Sequence, residues 1–128
     1  MARKKILIAD DEHALRLLVT STLEDERFQL FEAFDGMDAV TKAGAEHPDI
    51  VILDLMMPKM SGIDVCRRLR NLVGFESVTI IVLSAKGQEA DVREAIAAGA
   101  NHYLRKPFSP LQLIELIEQI TSEGHVVR

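Results

Sequence analysis

Three aliphatic runs stop abruptly at polar residues: Ile6-Leu7-Ile8-Ala9 at Asp10 and Asp11, Ile50-Val51-Ile52-Leu53 at Asp54, and Ile80-Ile81-Val82-Leu83 at Ser84. A fourth, weaker run, Tyr103-Leu104-Arg105, is followed by Lys106. The aliphatic runs are too short for helices and apolar at every position, which is how strands covered on both faces read. Longer stretches with helical spacing separate them, so the chain reads as repeated strand-helix units around a parallel sheet. Right-handed crossovers then bring the loops after the strands to one side. Residues far apart in sequence would converge there into three carboxylates, a hydroxyl and an ammonium.

The pattern predicts strands over roughly 5–9, 28–33, 49–53, 79–83 and 101–104, and helices over 12–25, 36–46, 62–73, 88–98 and 110–121. Numbered in chain order these are β1 to β5 and α1 to α5. Ser61-Gly62-Ile63-Asp64 and Ser109-Pro110-Leu111-Gln112 each fit a capping box, the second with proline at the first helical position. Gly99 stands where a left-handed helix end is wanted, and Asp35-Gly36 marks a turn before α2. In α3, Val65, Cys66, Leu69, Leu72 and Val73 form the predicted buried side, with Cys66 as core filling. The apolar residues of α5, from Leu111 to Ile120, spread wider than one stripe and leave surface for a partner. The less apolar β2 and β5 are expected at the sheet edges. Residues 1–122 form one domain in this reading, and 123–128 a frayed tail.

At 128 residues the chain has room for one core and no second domain. The core must be aliphatic, since only 5% of residues are aromatic. A net charge of -5 argues against binding nucleic acid or anionic membrane through bulk electrostatics. Cys66 is the only cysteine, which excludes an internal disulfide and a cysteine-based metal site and suits a reducing cytosol. The apolar stretch after Met1 to Lys5 is too short for a signal peptide, and nowhere do 18 apolar residues run together. A soluble, cytoplasmic protein is expected.

Asp10, Asp11 and Asp54 would carry three negative charges into a small space, where a divalent cation and Lys106 restore formal balance. Magnesium suits such a site because it prefers oxygen ligands and accepts phosphate oxygens, and manganese is a possible substitute. Asp54 then becomes a nucleophile toward phosphorus, with Lys106 and Ser84 holding the transferred phosphoryl oxygens. The product is a mixed anhydride that water reverses. Taken singly, each of these residues reads as an ordinary cap, turn or solvated charge. Their occurrence together, at ends expected to meet, carries the functional reading.

The chain resembles the receiver domain of bacterial two-component response regulators over essentially its full length. The matching text is Ile8-Ala9-Asp10-Asp11-Glu12, the stretch from Val51 through Asp54-Leu55-Met56-Met57-Pro58 to Gly62, Leu83-Ser84-Ala85, and Gly99 through Tyr103-Leu104-Arg105-Lys106-Pro107-Phe108. The resemblance implies a flavodoxin-like, doubly wound α/β fold with strand order 2-1-3-4-5. It implies that Asp54 accepts phosphate from a histidine kinase or histidine phosphotransfer protein. Asp10, Asp11, Asp54 and the backbone carbonyl of Met56 would bind magnesium, Asp11 directly and Asp10 more through water. Lys106 and Ser84 would grip the phosphoryl group, and the Lys106-Pro107 bond would be cis. Ser84 and Tyr103 would form a switch that alters the α4-β5-α5 face and so controls a downstream protein or effector domain.

A homodimer through that face is also implied. DNA-binding members that dimerise there commonly carry acidic residues before the aromatic and an arginine in the last helix. This chain has Asn101-His102 and Leu116 instead, which disfavours that ion-paired form. His13, His47, His102 and His125 lack metal-ligand spacing, and His13 is expected to face solvent. An aspartyl-nucleophile phosphatase would need a second aspartate where Met56 stands. A flavin or nucleotide module would need a glycine-rich phosphate loop or stacking aromatics that this chain lacks. A docking-only receiver without the acceptor residues is disfavoured because every one of them is present.

Overall fold

The computed structural model describes residues 3–125. Its elements are β1 Lys4–Ala9, α1 His13–Thr22, β2 Phe28–Ala33, α2 Gly36–Glu46, β3 Ile50–Asp54, α3 Gly62–Arg70, β4 Thr79–Ser84, α4 Glu89–Ala97, β5 His102–Arg105 and α5 Pro110–His125. The five strands pair in parallel in the order β2-β1-β3-β4-β5, the expected flavodoxin-like arrangement.

Strand alternation divides the core in two. Leu7, Val51, Leu53, Ile80 and Val82 face α2, α3 and α4, meeting Ala39, Ala43, Val65, Leu69 and Ala95. Ile6, Ile8, Ile50, Ile52, Ile81 and Leu83 face α1 and α5, meeting Val19, Leu23, Leu113 and Ile117. Both faces of the central strands are therefore covered, which is why their sequence is aliphatic without a break. The edge strands β2 and β5 are only partly buried, as their mixed composition predicts.

Helix starts follow their local chemistry. Ser109 and Gln112 complete a reciprocal box: the Gln112 amide donates to Ser109 Oγ at 3.1 Å, and the Ser109 amide to Gln112 Oε1 at 2.8 Å. At α3 the Asp64 amide donates to Ser61 Oγ at 3.2 Å, while the Asp64 carboxylate pairs with Arg67. The expected turn at Asp35-Gly36 is an N-cap, with Asp35 accepting from the Asp38 amide at 2.8 Å. Gly99 takes a positive φ of 122° after α4.

Three helix ends differ from expectation by three residues or more, and α1 is the first, stopping at Thr22 rather than 25. Helix α3 stops at Arg70 rather than 73, and Val73 is 92% exposed. The chain turns after Asn71, and Phe75 rather than Val73 joins the core. Helix α5 continues to His125, past the expected 121. Its hydrophobic residues pack better than the wide pattern suggested: Leu113 and Ile117 are buried and Leu116 and Ile120 lean on the same core, leaving Leu111 exposed. The rest of the expected tail, 126–128, lies outside the described residues. Cys66 is buried, and burial pushes its thiol up to about 11, in keeping with a filling role. No helix among the described residues is long and apolar enough to cross a membrane.

Candidate functional site

Register brings the polar residues together. Ala9 pairs with Leu53, Leu53 with Val82 and Val82 with Tyr103, so the next residues along, Asp10 and Asp54, leave adjacent strands side by side. Asp10 continues the face of Ile6 and Ile8, and Asp54 that of Ile50 and Ile52. Lys106 follows Leu104 on the same side, and its amide extends the ladder to the Ser84 carbonyl at 2.7 Å. Ser84 has the opposite parity and continues the face of Ile80 and Val82.

Asp10, Asp11 and Asp54 each bring a carboxylate oxygen to within 4.8 Å of the others. Asp10 and Asp54 are buried, whereas Asp11 is exposed. Lys106 Nζ stands 3.3 Å from Asp10 Oδ2 and 3.2 Å from Asp54 Oδ1, with Glu12 Oε1 at 3.8 Å. The Lys106-Pro107 peptide is cis. Gly62 closes the floor of the loop, because a Cβ there would meet the Asp54 carbonyl oxygen at 2.5 Å.

The electrostatics are those of a site short of positive charge. Burial, followed by the Asp10 charge, raises Asp54 from 3.8 to about 6 despite the opposing pull of Lys106. Asp10 is also raised, chiefly by burial, against the Glu12 amide and Lys106. Burial alone would lower Lys106, but Asp54 and Asp10 outweigh it and hold the ammonium above its ordinary value. Three clustered carboxylate donors opposed by one ammonium fit a hard divalent cation in charge and in ligand type.

Ser84 is buried at the end of β4. It shares a cavity of about 270 Å³ with Val92 and Ile96 of α4 and with Tyr103 and Arg105 of β5. Tyr103 is 54% exposed at the mouth of this space. The Met56 amide lies 3.4 Å from Asp54 Oδ1 and its side chain is exposed. His13 is exposed on α1, as expected.

Two participants escape the sequence patterns. Glu12 lies near Lys106, and Arg16 is buried beneath the β1-α1 loop, donating to the Asp10 carbonyl at 2.8 Å. The signal for Arg16 is its spacing: it falls on the same helical face as Val19 and Leu23, where a charge is out of place.

Comparison with known proteins agrees with this geometry. Residues 6–118 match the family model described as the response regulator receiver domain. The chain is 37% identical to the alkaline phosphatase synthesis transcriptional regulatory protein PhoP of Bacillus subtilis, over 96% of this chain and 50% of that protein. It is 42% identical to the DNA-binding response regulator MtrA of Mycobacterium tuberculosis, over 88% of this chain and 48% of the other. Among solved structures, the chemotaxis response regulator CheY4 of Vibrio cholerae superposes with a TM-score of 0.87 at 29% identity, covering 93% of this chain and 99% of that one. The chain belongs to the response regulator receiver domain family of two-component signalling proteins. It spans about half the length of the two regulators it matches in sequence.

Proposed function

We propose that this domain is a phosphorylation-controlled switch in which Asp54 accepts a phosphoryl group from a histidine kinase or histidine phosphotransfer protein. The observation that carries this is the pairing of a buried Asp54 with Lys106 Nζ at 3.2 Å inside a cluster of three carboxylates. An Asp54 carboxylate oxygen attacks phosphorus, the bond from phosphorus to the donor imidazole breaks, and the imidazole leaves with its electron pair. Lys106 neutralises charge on the phosphoryl oxygens and Ser84 donates its hydroxyl to one of them. A magnesium ion held by Asp10, Asp11, Asp54 and the Met56 carbonyl, with manganese as substitute, supplies the remaining positive charge when bound. Water reverses the acyl phosphate, so the domain acts on itself and not on outside substrates.

The cavity shared by Ser84 and Tyr103 supports the switch. Movement of the hydroxyl toward the phosphoryl group frees space for the tyrosine ring, and the face of α4, β5 and α5 changes shape. That face controls a downstream protein or an effector domain, or pairs two copies of the domain. The net charge of -5 favours protein contact over direct binding of nucleic acid. The setting is the cytoplasm.

The test is incubation with a small phosphodonor and magnesium, followed by intact-mass measurement. Wild type should gain one phosphoryl group, while Asp54→Ala and wild type in chelator should gain none. Equal labelling of the Asp54→Ala protein would overturn the assignment.

A further inference from the structure

We propose that Arg16 is a positioning residue that fixes Asp10 and Asp11 for cation binding, an inference that rests on the function proposed above. Its guanidinium is buried against the β1-α1 loop and has four neighbours. Nη1 donates to the Asp10 carbonyl at 2.8 Å, Nε donates to Glu32 Oε1 on β2 at 3.0 Å, and the group lies 4.9 Å from the centre of the Phe34 ring. Nη2 also comes within 3.5 Å of His13 Nδ1.

These contacts fall where the sheet can no longer hold the chain. Strand β1 ends at Ala9, and the Asp10 amide still reaches the Ala33 carbonyl at 3.2 Å. The Asp10 carbonyl lies beyond the ladder in a residue that is 0% exposed, so water is not its partner. Arg16 supplies the donor that this oxygen requires. Asp10 Oδ1 in turn accepts from the Glu12 amide at 2.8 Å, which ties down the residues on both sides of Asp11. Arg16 thus anchors the main chain from which two of the three clustered carboxylates project.

The role is geometric rather than electrostatic. Glu32 neutralises the guanidinium, and Lys106 already provides the ammonium that faces the carboxylates. Only a planar fork reaches the Asp10 carbonyl and the Glu32 carboxylate together; an ammonium donates from one point. Arginine alone at position 16 therefore satisfies both partners.

Two measurements on Arg16→Met, Arg16→Lys and Arg70→Ala test this. Arg70 anchors the opposite end of the sheet, through the Gly99, Phe75 and Val78 carbonyls, so its loss weakens the fold without touching the pocket. In Arg16→Met, hydrogen exchange at the Glu12 amide should be at least ~10-fold faster than in wild type. Its magnesium dissociation constant, titrated without any phosphodonor, should rise roughly ten- to hundred-fold. Arg16→Lys should show both changes at reduced size, and it carries the test if the methionine variant does not fold. Arg70→Ala should leave both readings within about two-fold of wild type despite lower stability. Unchanged exchange and affinity in the Arg16 variants, or an equal loss in Arg70→Ala, would overturn the proposal. A wild-type protein without magnesium affinity would instead overturn the proposed function, and exchange at Glu12 would still decide whether Arg16 holds Asp10.

Discussion

Replacing Asp54 by asparagine isolates the electrostatics of the pocket from any ligand. In the folded protein burial and the Asp10 charge raise the Asp54 carboxyl from 3.8 to about 6, and unfolding returns it to its ordinary value. Below about pH 3 the group is protonated in both states and imposes no penalty. As pH rises toward 6 the unfolded chain releases the proton first, so folding loses stability, and the loss is complete above the folded value. A rise of about two pH units at about 1.4 kcal/mol each amounts to about 3 kcal/mol. Asparagine keeps the shape without the charge. In chelator at about pH 7.5, Asp54→Asn should therefore be more stable than wild type by about 3 kcal/mol, with the difference vanishing below about pH 3. Urea unfolding followed by circular dichroism across this range measures it. Magnesium should narrow the difference at neutral pH by stabilising the folded wild type more than the variant, which has lost one of the clustered carboxylates. A variant less stable than wild type at pH 7.5, or a difference that ignores pH, would refute the reasoning.

Three further outcomes concern the frame around the site. Arg70 donates to the Gly99, Phe75 and Val78 carbonyls and to Asn101 Oδ1, so Arg70→Ala should lower unfolding free energy by about 3 kcal/mol, read from urea melts. A loss below about 0.5 kcal/mol would show that the network is dispensable. Ser109→Ala breaks one arm of the α5 capping box and should cost about 1 kcal/mol in the same assay, with phosphorylation by a small donor unchanged. Gly62→Ala forces a methyl group to within 2.5 Å of the Asp54 carbonyl oxygen, and should both destabilise the fold and slow modification of Asp54; normal modification kinetics would show that the loop yields freely.

Much of the site was readable because a parallel sheet leaves little freedom about where its strand ends go. Asp10, Asp54 and Lys106 could be paired across the sequence once their apolar runs were read as strands, since register and parity follow from the period of two. Arg16 could not be placed in the same way. Its partners are a main-chain carbonyl on the β1-α1 loop and a side chain on β2, and periodicity exposes only the oddity of a charge on an apolar face. The end of α3 is hidden for a related reason: helical spacing continues to Val73, but the chain turns first and Phe75 is the residue that is buried. Ser84 is legible as the end of its strand, whereas the cavity it shares with α4 and Tyr103 arises from packing between elements that periodicity does not show.

The central claim is chemical: a phosphoryl group joined to one carboxylate. Borohydride reduces an acyl phosphate and converts an aspartyl phosphate to homoserine, so treatment of the modified protein followed by peptide mass spectrometry reports the site directly. Homoserine at position 54, absent without magnesium, is the predicted result. A phosphoryl group that survives on Ser84 or a histidine, with an intact aspartate at position 54, would contradict the account.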